Sequence, residues 1–452
     1  MSQRNTRNDR RYITVQRQTA HGDWADAGHI LLPEGGLPGG FVYADSYTGP
    51  PLAPDLDYRA AGGRYFAISA LDTLHTRAVD RRDLHSVFQE ALPGRWGENV
   101  MASHVPAYGK SSPAEKLWML GDRLASGLRF EAGGGQCGEQ WIDGVEALMA
   151  LRTEVNGFME KLAARVRPGP MGTPTQRWAL TSNGGQTPKC AYTLNGEEFI
   201  AKFSTAHLGT IETTRVERGM AEISHLAGLD TADTTLVETD DGDAVLLSRR
   251  FDLDESGFRI HKINAATALG VDILTQMDYV DIVHFLREHS SDPETDIRDL
   301  YGRMLINVFC NNTDDHLGQF EFLAEGNGWR LAPNFDVLVD ELDPEGSRRP
   351  HALSVDGDVM IPSIDITWID ETADAFGLDA GDGRDIAARA ARAMECFPAL
   401  MRSYGVSEFT IDNYLLPAVG IDQISVLRQT LEDEQIARAK KLTMATTQGM
   451  ST

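Results

Sequence analysis

The sequence predicts an α+β fold in two lobes, a mixed α/β N-terminal part and a mainly α-helical C-terminal lobe. Three observations predict it. Lys189-Cys190-Ala191-Tyr192-Thr193-Leu194 and Glu197-Glu198-Phe199-Ile200-Ala201-Lys202-Phe203 are alternating apolar runs separated by Asn195-Gly196. Both residues of that pair accept φ > 0, so it favours a tight hairpin. Ile297, Leu300, Tyr301, Met304, Leu305, Val308 and Phe309 then recur at spacings of three and four, the mark of a helix with one wide apolar face. That helix runs into Asn311-Asn312-Thr313-Asp314-Asp315-His316-Leu317-Gly318-Gln319-Phe320, and a second acidic loop follows at Leu331-Ala332-Pro333-Asn334-Phe335-Asp336-Val337.

Along the chain, residues 12–15, 28–33 and 39–43 read as strands joined by Gly/Pro-rich turns. Residues 83–92 and 114–124 carry helical patterns, and 128–130 a short strand. Residues 141–166 read as one connecting helix, with Leu148, Leu151, Val155, Phe158 and Leu162 at helical spacing and Pro168 and Pro170 beyond its end. Residues 216–226 form a helix carrying Glu217 and Glu222, and 235–248 a further hairpin. Gly326-Asn327-Gly328 turns the chain between Phe322 and Trp329, which brings Asp336 back toward Asp314. Residues 340–346 read as a polar loop. Helices at 385–396, 398–404 and 423–442 complete the C-terminal lobe, with fraying expected from Thr446. The expected division is an N-terminal α/β domain (1–135), a linker helix with a small lobe (136–255) and a helical lobe (256–452).

Composition narrows the function. The chain has 452 residues and a formal net charge of −25. So acidic a surface is unsuited to gripping nucleic acid directly, because phosphate contacts need Lys and Arg. Cys137, Cys190, Cys310 and Cys396 match no zinc spacing and read as buried free thiols of a reducing, cytoplasmic compartment. No apolar run reaches the length of a membrane span, and the polar, basic residues 1–11 read as a disordered arm rather than a signal peptide.

Ser182-Asn183-Gly184-Gly185-Gln186-Thr187-Pro188-Lys189 is a candidate phosphate loop, since paired glycines let backbone amides turn toward an anion. Lys202 lies in a strand of the hairpin leaving it. A strand lysine next to a glycine-rich loop is the layout of a kinase small lobe, where the lysine reaches the nucleotide phosphates. Glu217 is the candidate partner for Lys202 on the following helix, the bland alternative being a solvated acidic face. In such a fold the last strand of the 235–248 hairpin leads to a hinge whose backbone reads adenine. The candidates run from Ser248 to Phe251, Arg249 and Phe251 among them, and the pattern does not single one out. The acidic loops suit metal-assisted phosphoryl transfer, in which one carboxylate positions the nucleophile and another holds Mg²⁺.

With these residues assembled, the chain resembles the HipA family, serine/threonine kinases that act as toxins of bacterial toxin–antitoxin pairs. Besides the loop at 182–189, the resemblance rests on Gly39-Gly40-Phe41-Val42-Tyr43, Ala91-Leu92-Pro93-Gly94-Arg95-Trp96-Gly97, Arg250-Phe251-Asp252, Asn312-Thr313-Asp314-Asp315-His316 and Pro333-Asn334-Phe335-Asp336-Val337. It implies a protein-kinase-like fold using ATP and Mg²⁺. It implies Asp314 as the catalytic aspartate, Asp336 as a Mg²⁺ ligand and Lys202 as a contact of the ATP phosphates. Gly184, Gly185 and Gln186 would line the phosphate loop, with Ser182 as the autophosphorylated serine. Asp315 is left without a role, and His316 reads as bracing the loop rather than moving protons. A small DNA-binding antitoxin is the implied partner and a protein Ser or Thr the implied acceptor, on a translation factor such as an aminoacyl-tRNA synthetase.

The chain departs from the family at Gln319, five residues after Asp314, where the family has a metal-binding asparagine. The glutamine carboxamide is one methylene longer, and Mg²⁺ tolerates poor geometry badly. Two alternatives to an active protein kinase therefore stay open: a nucleotide-binding pseudokinase that serves as an antitoxin scaffold, and a small-molecule phosphotransferase. Gln319→Asn should raise the rate of phosphate transfer or lower its Mg²⁺ requirement in a metal titration. An unchanged rate and Mg²⁺ dependence would remove Gln319 as a reason for weak catalysis.

Overall fold

The computed structural model describes residues 12–31, 40–56, 64–66, 84–121, 127–131, 141–173, 176–181, 185–204, 212–361 and 364–449. The chain forms two compact units, one from Met1–Gly209, Thr235–Asp272 and Glu321–Gly328, the other from Thr210–Thr234, Ile273–Phe320 and Trp329–Thr452.

The first unit begins with a five-stranded antiparallel sheet. Its strands are β1 (Tyr12–Gln18), β2 (Trp24–Leu31), β3 (Gly40–Tyr43), β4 (Arg64–Phe66) and β5 (Leu128–Glu131), in the order β4-β3-β2-β1-β5. Alternation buries Ile13, Val15, Ile30, Phe41 and Phe130. Helix α1 (Ser86–Glu90) places Phe88 4.9 Å from Phe41 and 6.2 Å from Phe130, ring to ring. Helix α2 (Arg95–His104) follows, and α3 (Pro113–Leu120) starts with a Ser112–Glu115 capping box and stops at Gly121, φ 60°.

A second sheet joins β6 (Ile142–Asp143), β7 (Lys189–Leu194), β8 (Glu197–Phe203), β9 (Thr234–Glu238) and β10 (Ala244–Arg249) in the order β6-β7-β8-β10-β9. The β7–β8 hairpin turns at Asn195 and Gly196, φ 53° and 83°, as the Asn-Gly pair predicts. The expected helix over 141–166 divides in two. Ile142 pairs in parallel with Tyr192, Gly144 bends the chain at φ 82°, and helix α4 (Val145–Ala163) begins only there. Two residues are too few for periodicity to tell a strand from a first helical turn. Leu148, Leu151, Val155 and Phe158 of α4 share one core with Trp96, Val100, Tyr192, Phe203 and Leu247. Arg152 pins α4 to the β9–β10 turn through Asp241 (2.9 Å) and Asp243 (2.8 Å). Helix α5 (Gln176–Thr181) precedes the glycine-rich stretch.

Beyond β10 the first unit holds a buried ionic network. Arg250 donates to Asp252 from Nε (2.8 Å) and Nη2 (3.0 Å), and to Glu198 from Nη1 (3.0 Å). Strands β11 (Lys262–Asn264) and β12 (Glu321–Glu325) pair antiparallel, and Lys262 donates to Glu321 at 2.6 Å. Glu90 of α1 lies beside them, within reach of Asn264 and Thr267. The second unit contains strand β13 (Gly328–Leu331) from Trp329 onward, and helices α6 (Thr213–Leu226), α7 (Tyr279–His289), α8 (Pro293–Cys310), α9 (Ile366–Ala375), α10 (Ala380–Glu395), α11 (Phe397–Ser403) and α12 (Ile421–Gly449). Helix α12 continues through Thr446, where fraying was expected, as far as Gly449. Cys190 and Cys310 are buried and free, Cys396 is exposed, and Cys137 lies outside the described residues. Among the described residues no helix is long and apolar enough to cross a membrane.

Desolvation, aided by the Glu321 charge, pushes the Glu90 carboxyl up from 4.5 to about 7. Between those values the unfolded chain has lost a proton that the folded chain keeps, so this group's contribution to stability falls as pH rises from about 4.5 to about 7. Glu90→Gln removes that dependence. Thermal melts should show the variant gaining on the natural chain as pH rises from about 5 to about 8.

Candidate active site

Helix α8 delivers the acidic loop. Asp292 caps its first turn and Pro293 occupies its first position, where a missing N–H costs nothing. The helix ends at Asn311 in the left-handed region, φ 59°, which Asn tolerates better than most residues. The chain leaves the helix axis there and passes Thr313, Asp314 and Asp315 before the short 3₁₀ turn Leu317–Gln319. His316 Nδ1 accepts from the Gly318 N–H at 3.0 Å, and Nε2 lies 3.9 Å from Asp314 Oδ1. An imidazole that accepts at Nδ1 carries its proton on Nε2, facing Asp314.

The two adjacent carboxylates have opposite environments. The Asp314 side chain is 72% exposed and that of Asp315 is fully buried. Asp315 Oδ2 accepts from the Tyr279 hydroxyl (2.7 Å) and faces His351 Nδ1 (3.1 Å), while Oδ1 accepts from the Ala352 N–H (2.8 Å). Asn307 Nδ2 donates to the Tyr279 hydroxyl oxygen and Asn312 Nδ2 to Asn307 Oδ1, both at 3.0 Å. Helix α7, helix α8, the loop and the 351–352 segment are thereby tied to one carboxylate.

Asp336 occupies the second loop, half-buried and also left-handed at φ 59°. Its approach is fixed by Asn334, whose N–H donates to Asp230 O (2.7 Å) and whose carbonyl accepts from the Ala232 N–H (2.9 Å). Desolvation and the nearby carboxylates of Asp340, Asp336 and Asp315 push the Asp314 carboxyl above the usual carboxylate range, and His316 opposes them. Asp336, expected to return toward Asp314, is thus within electrostatic reach of it. Among the described residues no group of three or more His, Cys, Asp or Glu converges to hold a metal ion. Mg²⁺ in proteins is usually held by one or two carboxylates together with substrate phosphates rather than by a cage. Asp336 and Gln319 are the residues that would hold it, and Glu217 is buried on α6 in the same unit.

The other candidate residues belong to the first unit. Lys202 of β8 is buried and in register with Lys189 of β7. Register partners share a face of the sheet, so the two ammonium groups lie on the same side. Gly185 is left-handed at φ 90°, and a Cβ there would stand 2.7 Å from Lys189 Nζ, so only glycine lets the lysine this close. Trp96 braces the stretch, its Nε1 donating to Lys189 O (2.9 Å) and its N–H to Gly185 O (3.4 Å). Gln186 is exposed beside Gly185. Ser182 and Gly184 lie outside the described residues. Arg249 pairs on the surface with Glu197 (3.2 Å), and the Phe251 ring lies under Lys262 Nζ at 5.5 Å.

Residues 181–397 match the family model described as the HipA-like C-terminal domain. Over that stretch the chain is HipA-like. Over 92% of its length it superposes on 99% of HipA from Shewanella oneidensis MR-1, solved as a complex of the toxin–antitoxin system HipA, HipB and its operator DNA, with a TM-score of 0.66 and 16% identity. The Sinorhizobium fredii protein named "Putative kinase Y4mE" is 29% identical over 143 residues, 29% of this chain and 34% of that relative. The matched stretch therefore spans about a third of the curated relative. The fold is the α+β, protein-kinase-like fold that the hairpin and helix patterns predict.

The HipA-like domain also holds residues that the sequence reading left without a role. Asp315 is the buried hub, and Tyr279 and His351 are its side-chain partners. Adjacent acidic letters carry no sign of which one turns inward, but Asn307, four residues before Asn311 on the buried face of α8, is a polar interruption that marks a buried network. Tyr279→Phe deletes the donor to Asp315 and the acceptor of Asn307 together. It should cost about 1–3 kcal/mol of stability, read by denaturant melts, and loosen the 311–316 loop in hydrogen exchange.

Proposed function

We propose that the chain is an ATP-dependent protein kinase of HipA type that transfers the γ-phosphoryl group to a protein Ser or Thr hydroxyl. One observation carries the reading. Asp314, exposed on a loop that is otherwise pinned, lies within electrostatic reach of Asp336, 22 residues further on. This is the arrangement that in-line phosphoryl transfer needs, one carboxylate for the acceptor hydroxyl and another for the metal-bound phosphates. Asp314 would accept or orient the hydroxyl proton, with the Nε2–H of His316 holding its carboxylate in place. Lys202 and Lys189 would meet phosphate charge on one face of their sheet, and the left-handed Gly185 would let backbone amides approach it. Mg²⁺ bound with the nucleotide would neutralise charge building on the phosphates. Ser182 would be the site of autophosphorylation.

By its likeness to HipA, the chain would act as a growth-inhibiting toxin held by a small DNA-binding antitoxin, in the cytoplasm. Its net charge of −25 suits a basic partner. Gln319 supports a second reading, a nucleotide-binding scaffold with weak transfer. Asp314→Asn and Asp336→Asn should each abolish phosphate incorporation from labelled ATP, at least about 1000-fold below the natural chain. Retained incorporation by both purified variants overturns the kinase reading. Thermal stabilisation by nucleotide without any transfer by the natural chain favours the scaffold.

A further inference from the structure

The polar stretch after Asp336 is clasped to the acidic loop at several points. The Asp340 N–H donates to Asn311 O (3.1 Å), and Asn311 Nδ2 donates back to Asp340 O (2.8 Å). Asp340 Oδ2 accepts from both the N–H and the Oγ1 of Thr313, at 2.7 and 2.6 Å. Arg348 donates to Val308 O (3.0 Å) at the end of α8 and to Ala418 O (2.9 Å) at the end of the helical turn Leu416–Val419. A cation at two helix C-termini is favourable, because carbonyls there lack partners along the helix. Between these anchors Asp343 closes a small loop on itself, its Oδ1 accepting from the N–H groups of Glu345 (2.9 Å) and Ser347 (2.8 Å). The Ala352 N–H finally donates to Thr313 O (3.2 Å).

Thr313 is therefore held on both sides, its N–H and hydroxyl by Asp340 and its carbonyl by Ala352. It is also the residue immediately before Asp314. An exposed side chain takes its direction from its backbone. We propose that Asp340 is a positioning residue for the reaction: by accepting both Thr313 bonds it fixes the peptide from which Asp314 projects. This rests on the reading of Asp314 as the aspartate that meets the acceptor hydroxyl. Asp340 itself touches neither nucleotide nor acceptor in this scheme. Its Oδ2 is already occupied by two donors, and neutral acceptors of the same shape should serve as well.

The test compares Asp340→Leu, Asp340→Asn, Thr313→Val, Thr313→Ser and the Leu/Val double variant in the full chain. It measures kcat and nucleotide KM for phosphate transfer, with thermal melts alongside. Misplacing a reacting group by about 1 Å costs on the order of 100-fold. Asp340→Leu and Thr313→Val should each lower kcat by about 10- to 100-fold and leave the nucleotide KM within about twofold. Asp340→Asn and Thr313→Ser keep the acceptor and the donors, and should stay within about threefold of the natural chain. The double variant should be no worse than the poorer single one, because both remove the same contact. The proposal is overturned if Asp340→Leu stays within about threefold, if Asp340→Asn falls as far as Asp340→Leu, or if the two losses multiply. Should Asp340→Leu fail to fold, the Thr313 pair decides by the same criteria. If the natural chain transfers no phosphate, the kinase reading fails separately. Hydrogen exchange then judges the contact: residues 311–316 must exchange faster in Asp340→Leu than in Asp340→Asn, and equal exchange overturns the role of Asp340.

Discussion

A fully buried carboxylate, that of Asp315, is the constraint on which the acidic site depends. Removing a charged group from water costs several kcal/mol unless hydrogen bonds replace the hydration. The replacements come from Tyr279 on α7 and from the backbone and side chain of 351–352, elements far apart in the chain. The unit closes over Asp315 only if these donors arrive together. The Asn312–Asn307–Tyr279 relay ties the same carboxylate to the interior of α8. A loop that would otherwise be loose is pinned from inside, and Asp314, next in the chain, is presented outward.

Backbone conformation completes the presentation. Asn311 and Asp336 both adopt the left-handed region without being glycine, a state that costs about 1–2 kcal/mol for an ordinary residue and less for Asn and Asp. Each bends the chain where an acidic side chain must leave the course of its helix or strand. Burial raises the Asp314 carboxyl, and the neighbouring carboxylates of Asp340, Asp336 and Asp315 add to it. The first unit carries its own cluster of opposite charge. Lys189 and Lys202 share a sheet face beside Gly185, and the Arg250–Asp252–Glu198 network holds the end of β10 in place.

Much of this was legible from residue order, because the signals were local. The Asn195-Gly196 hairpin, the apolar face of α8 and the Asn-Gly turn before β13 depend on neighbours a few positions apart, and spacing reveals them. The short strand at Ile142–Asp143 was hidden inside a helical pattern, since a strand of two residues has no period of its own. Asp340 sat in a stretch that reads as solvated loop, and its partner Thr313 is 27 residues away. Arg348 lies in no motif, and its partners are carbonyls at the ends of two helices, far from it in the chain.

The sequence by itself determined the Asn195-Gly196 hairpin, the apolar face of α8 and the identity of the acidic and basic residues near the loops. Those follow from periodicity, φ preferences and charge, which act within a few residues. Only the tertiary structure decided which of two adjacent aspartates faces inward, which lysine stands opposite Lys202, and what holds Thr313 from both sides. Those choices depend on desolvation and on donors supplied by distant segments, and neither exists until the chain has packed.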